Sequence, residues 1–180
     1  MNSKLLGEPL DLGGGRSIRP PQGWIVSGRV AEDPLRVQPG SRVVIAPNDG
    51  SQVSILWRAA TWLVGKPSSQ QFTFLLDIPR ELFREQLEPL YPDLIRIALE
   101  NITEARVKKH RGMGTVLAIT YLSSESGWAG HILYAPTGEV QGEVQILSYE
   151  GLEIPYLTYM QQAMASMESF RDARLGLLPP

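Results

Sequence analysis

The sequence predicts an α+β protein built on an antiparallel sheet, and three observations lead there. Residues 103–149 hold four runs of alternating apolar and polar residues, separated by short glycine-bearing breaks, and four such runs in succession make a meander. A β-branched hairpin precedes them at 41–59. After Pro155 the apolar spacing becomes helical, and an amphipathic helix needs a sheet face to cover. The architecture expected is an α/β/α sandwich around the antiparallel sheet, with the four-strand meander near its C-terminal end and a closing amphipathic helix.

A chain of 180 residues fits one domain, since domains run to roughly 100–200 residues. Its expected span is 16–172, between a flexible lead-in at 1–15 and a flexible tail at 173–180. Hydrophobic residues at 43% and charged residues at 20% are ordinary for a globular chain. A net charge of −2 provides no general attraction to nucleic acid or anionic lipid. The chain has no cysteine, which excludes disulfides, thiolate metal sites, iron–sulfur clusters and a cysteine nucleophile. The first twenty residues lack the apolar run of about 7–15 residues that a signal peptide needs. No run of about 18 apolar residues occurs to span a membrane, so the expected location is cytoplasmic.

The elements follow in order. "RSI" at 16–18 reads as a short edge strand closed by Pro20 and Pro21. Residues 24–40 are irregular, with turns at Asp33-Pro34 and Pro39-Gly40. "SRVVIAP" (41–47), the "NDG" turn and "QVSILWRA" (52–59) form the hairpin, with Val53, Ile55 and Trp57 on one face. "QFTFLLDI" (71–78) alternates and reads as a strand. Pro79 opens a helix whose apolar positions are Leu82, Phe83, Leu87 and Leu90, and Pro89 and Pro92 divide it from a second helical stretch. The meander strands are 103–110, 114–123, 127–135 and 138–149. The closing helix carries Tyr156, Met160, Ala163, Met164, Met167 and Phe170 along one stripe. Methionines at that spacing suit a core, or an adaptable apolar groove for a partner.

Candidate chemistry is sparse. "GGGRSIRPPQGW" (13–24) is neither a Walker loop nor a dinucleotide fingerprint, because no strand leads into it and two prolines stand where a helix would begin. "KKHRGMG" (108–114) places Lys108, Lys109, His110 and Arg111 beside a glycine turn. Such a cluster attracts a phosphate or an acidic partner, or it keeps a strand edge soluble. Period two puts His131 with Ala129 and Leu133, on the face opposite Trp128, Ile132 and Tyr134. His131 would serve as a general base only if a carboxylate oriented it, and Glu143 or Gln145 is placed across the next hairpin. Lys108, Lys109, His110, Arg111, Trp128 and His131 are the candidate partner-binding residues. Two histidines in the chain leave no histidine-rich metal site. Glu81, Glu85 and Glu88 share a helical face with arginines interleaved, the pattern of a solvated surface. No nucleophile elbow, metal set or cofactor fingerprint is present.

The order of elements resembles a known superfamily. A first strand runs into Pro-x-x-Trp, here "SIRPPQGW" with Pro21 and Trp24, and a hairpin, a strand-and-helix segment and a meander follow. The closing helix carries "MQQAMASMESFR" with Ser169-Phe170. This pattern is similar to the superfamily of PsbP, the extrinsic photosystem subunit, with the Ran-binding Mog proteins and bacterial DcrB-like and effector-chaperone relatives. The resemblance implies the sandwich fold and action by binding, as an assembly factor or chaperone-like adaptor. It implies no shared catalytic residues, metal or cofactor. The expectation is therefore a non-enzymatic module that engages a protein partner. A helix-grip or cone-like binder of a small apolar ligand, as a hydrolase or cyclase, is the alternative, with the closing helix roofing a cavity.

Overall fold

The computed structural model describes residues 6–30, 32–33, 35–61, 76–88, 99–110, 112–137, 140 and 142–152. Two strands form a small sheet of their own, β1 (Leu10–Gly13) and β2 (Arg16–Ile18). Seven more share one antiparallel sheet. They are β3 (Ile25–Arg29), β4 (Arg42–Ala46), β5 (Val53–Thr61), β6 (Ile102–His110), β7 (Gly114–Ser123), β8 (Trp128–Pro136) and β9 (Glu143–Leu152). Their spatial order is β3-β4-β5-β9-β8-β7-β6. The four meander strands are therefore consecutive neighbours, and β9 closes back on β5 over nine residue pairs from Val53↔Gly151 to Thr61↔Glu143.

Strand alternation sorts the side chains into two cores. On one face, Ile55, Trp57 and Ala59 of β5 meet Leu147, Leu133 and Ala118, and Leu12, Ile18 and Val37 pack on them. On the other, Leu56, Ile146, Ile132, Tyr134 and Ile119 receive Phe83 and Leu87. These last two come from α1 (Arg80–Leu87), with Pro79 at its N-cap. Pro79 has no N–H to lose there, and its carbonyl accepts the Phe83 N–H at 3.0 Å. Leu82, expected on the apolar face, is 47% exposed, because Phe83 and Leu87 already fill the stripe that faces the sheet.

Several expectations are revised. The lead-in is not free up to residue 15: Leu10–Gly13 pairs with Arg16–Ile18, and Leu12 is fully buried. The glycines of "GGGRSIRPPQGW" make the hairpin turn between them, all three at positive φ (85°, 59° and 69°), a region that costs glycine nothing. Asp11 Oδ1 accepts the Gly13 N–H at 2.9 Å. The next turn is closed by Trp24 N–H to the Pro21 carbonyl at 3.2 Å, with Gly23 at φ 84°, as a type II turn requires at its third residue. The region 24–40 is not wholly irregular, since β3 pairs with β4 from Ile25↔Ala46 to Arg29↔Arg42. Leu76 and Asp77 are helical rather than extended, while the rest of the expected 71–78 strand lies outside the described residues. The last meander strand begins at Glu143, not at 138. The expected second helical stretch is described only from Leu99, where Leu99–Asn101 form a 3-10 turn. The closing helix and its methionines lie outside the described residues. Among those described, no helix is long and apolar enough to cross a membrane.

Candidate functional site

The six candidate partner-binding residues do not form one cluster. Lys109 points to the side opposite Lys108 and donates to Thr115 Oγ1. His110 holds the β6–β7 turn, its Nδ1 accepting the N–H groups of Gly112 at 3.1 Å and Met113 at 3.0 Å. Arg111 lies outside the described residues. Trp128 belongs to the α1 side of the sheet, where it packs against the second core. Among the described residues, Lys108 and His131 are the two that meet.

Register gives the two a common face but sets Lys108 opposite Val116, four residues along β7 from the Thr120 that pairs with His131, and the long lysine side chain spans the difference. Lys108 pairs with Val116, Thr120 with His131, and His131 with Tyr149, so Lys108, Thr120, His131 and Tyr149 share the face opposite α1. Lys108 Nζ stands 3.4 Å from His131 Nε2, long for a hydrogen bond, and Thr120 Oγ1 is 2.8 Å from His131 Nδ1. An ammonium only donates, so Nε2 is the acceptor, and Nδ1 carries the ring proton and donates to the threonine. The Tyr149 ring lies tilted against the imidazole, 5.4 Å between centroids. Burial pushes the His131 pKa down to about 4, with the Lys108 and Arg106 charges adding to it. Burial lowers Lys108 as well, followed by Arg106, while Glu104 opposes the shift.

The acid expected beside His131 is elsewhere. Gln145 pairs with Ala135, four residues along β8 and so roughly 13 Å away at about 3.3 Å per residue. Gln145 instead accepts from Trp57 Nε1 at 3.3 Å, and Glu143 forms an ion pair with Arg36. His131 has no carboxylate to orient it among the contacts described, which removes the expected base arrangement. Its neutral ring predicts a measurable signature: the His131 Cε1–H resonance should titrate near pH 4, and a midpoint near 6.5 would contradict the placement. The unfolded ring protonates near 6.5, so this group's contribution to stability is complete above that pH and is lost as pH falls toward 4.

A second polar group, on the α1 face, was not foreseen. Trp128 Nε1–H donates to Tyr121 Oη at 3.0 Å, and the Tyr121 hydroxyl donates to Glu150 Oε2. Gly130 lets this happen, since a Cβ there would lie 2.5 Å from the Tyr121 oxygen. Glu150 is 5% exposed, and burial pushes its pKa up to about 7. The sequence carried one signal for it, a lone acid in the mostly uncharged run 144–152.

Two open clefts of about 480 and 510 Å³ lie elsewhere, one along Pro79, Glu81, Leu99, Glu100 and Ile102, the other along Arg29, Glu32, Asp33 and Gln38–Ser41. Neither includes His131 or Glu150. Among the described residues no group of three or more His, Asp or Glu side chains is placed to hold a metal ion.

Comparison with solved structures places the architecture. Cyanobacterial PsbP from Synechocystis superposes with a TM-score of 0.53 at 12% identity, covering 86% of this chain and 85% of that one. The fold is that of PsbP. The Ran-binding protein Mog1p of Saccharomyces cerevisiae (TM-score 0.41, 12% identity, 92% and 89% covered) is also similar. So is LpqN, involved in cell envelope biogenesis of Mycobacterium tuberculosis (0.42, 15%, 89% and 87%). These last two superpose too loosely to carry an argument. No protein-family model matches the chain, and no curated protein matches it in sequence. In the PsbP-type fold seen here, among the described residues, the Lys108–His131 pair lies near one edge of the large sheet and β3 forms the other.

Proposed function

We propose that this chain is a non-enzymatic protein-binding module, an assembly factor or adaptor that works through the edges of its sheet. The observation that carries this reading is β3. All five of its residues are exposed, with Ile25 at 57% and Val26 at 40%. Edge strands are normally blunted by lysine, proline or a bulge. β3 carries two apolar β-branched residues in their place, and only Arg29 at its end is charged. Such an edge offers main-chain hydrogen bonds and apolar contact to an added strand.

A photo-crosslinking amino acid at Val26, with a control at the exposed Leu82 of α1, tests the reading in an extract of the native host. A discrete protein adduct should form from position 26, be absent from position 82, and fall at least fivefold when Ile25→Lys is added. Equal adducts from both positions, or none from either, would reject a protein-binding β3.

A further inference from the structure

We propose that Arg106 and Lys108, on the outer strand β6, bind alternate carboxylates of an extended acidic segment of a partner protein. This rests on the protein-binding reading only in that the ligand belongs to a protein; it concerns the opposite edge of the sheet. The chain as a whole is acidic, at −2, so a cationic row is a local reversal of charge. Among the described residues β6 ends the sheet order.

The groups facing this position are Glu104, Arg106 and His110 on β6 and Thr120, His131 and Tyr149 on β7, β8 and β9. Glu104 is the one acid among them, and it is engaged with Arg106 at 2.6 Å through side chains 61% and 51% exposed. A pair that open to water is worth about 0–1 kcal/mol, so an incoming carboxylate displaces it at little cost. Lys108 has a half-buried ammonium whose contact is a neutral imidazole. That contact brings no negative charge, and the carboxylate that acts on Lys108, Glu104, is itself engaged with Arg106. Burial first and Arg106 second depress the Lys108 pKa, and an anion bound there offsets the Arg106 repulsion.

Spacing fits an extended ligand with alternate acids. Arg106 and Lys108 are two apart on one strand face, about 6.6 Å along it. An extended segment with acids at every second residue has the same repeat, whereas acids on a helix meet at about 6 Å only for three- or four-residue spacings. Lys109, on the other face and held by Thr115, takes no part.

The test uses the full chain and fluorescein-labelled octapeptides of alternating Glu-Thr and Gln-Thr. The Glu-Thr peptide should bind at least tenfold more tightly than Gln-Thr, and weaken as salt rises. The double variant Arg106→Gln/Lys108→Gln should lose that preference, with an unchanged amide NMR spectrum away from β6 confirming the fold. Lys109→Gln should bind within twofold of the parent. Equal binding of the two peptides, equal binding by the double variant, or an equal loss in Lys109→Gln would each overturn the proposal. Phosphatidylserine vesicles that bind through the same two residues more tightly than the peptide would overturn it in favour of a membrane ligand. Should the peptides fail while the Val26 adduct forms, the basic site on β6 alone is lost. The reverse result rejects β3 and keeps β6.

Discussion

Replacing Trp57 with alanine is expected to lower stability by roughly 3–5 kcal/mol, the range for truncating a buried aromatic. Trp57 is fully buried in the middle of β5, with Val43 beside it on β4 and Leu147 on β9. The cavity would open between strands held by continuous ladders, which cannot collapse to fill it. A second loss adds to this: Gln145 Oε1 accepts the Trp57 indole N–H, while its Nε2 already lacks a partner. Trp57→Phe separates the two effects, keeping most of the volume but not the donor, and should cost about 1–3 kcal/mol for the orphaned carbonyl. Urea denaturation of both variants checks the order. Equal losses would place the whole effect in the hydrogen bond.

Glu150 should make the protein less stable as pH rises. Its folded pKa of about 7 stands above the ordinary 4.5, so between those values the native state holds a proton that the unfolded chain has released. Stability from this group is complete below pH 4.5 and declines as pH rises toward 7, by up to about 3 kcal/mol at 1.36 kcal/mol per pH unit. Glu150→Gln cannot ionise, yet its carbonyl still accepts from Tyr121. The variant should therefore gain on the parent by about that amount between pH 4.5 and 8, measured by urea denaturation at each pH. Parallel pH profiles would show that Glu150 meets no penalty for its charge. The Tyr121 hydrogen bond strengthens with a carboxylate acceptor, which returns part of the cost and makes the figure an upper bound.

Why the two polar groups differ in legibility is a matter of distance along the chain. His131 stood out as one of two histidines, and alternation placed it correctly with Leu133, away from Ile132 and Tyr134. Its partner Lys108 lies 23 residues away, and reaching it requires knowing the register of two hairpins. Reading "KKHR" as one cluster failed for a related reason. Adjacent strand residues face opposite ways, and a turn spends the third residue on backbone N–H groups. Arg106 stands outside the contiguous charges, two residues before Lys108, and shares its face only through strand alternation. Glu150 was hidden in a strand of mixed apolar and polar residues, since its meaning depends on Tyr121 and Trp128 arriving beside it.

The edge strand β3 escaped for a different reason. "IVSGR" is five residues long, lacks alternation and sits among turn signals, and its pairing with β4 supplies the order that local propensity does not. Gly28 adopts φ 112° against the Arg42 carbonyl, a close approach that looks in sequence like a break.

By itself the sequence determined the strands of the meander, the 41–59 hairpin and their antiparallel sense, because period-two patterning and glycine turns are local constraints. It also fixed which side chains share a face of each strand. The tertiary structure decided that β9 returns to β5, that "GGG" is a hairpin turn, and that the two sheet edges differ, one apolar and one cationic. It alone set Lys108 beside His131 and buried Glu150 against Tyr121. These depend on register between strands distant in the chain, where burial and facing charges, rather than residue type, set each group's protonation and reach.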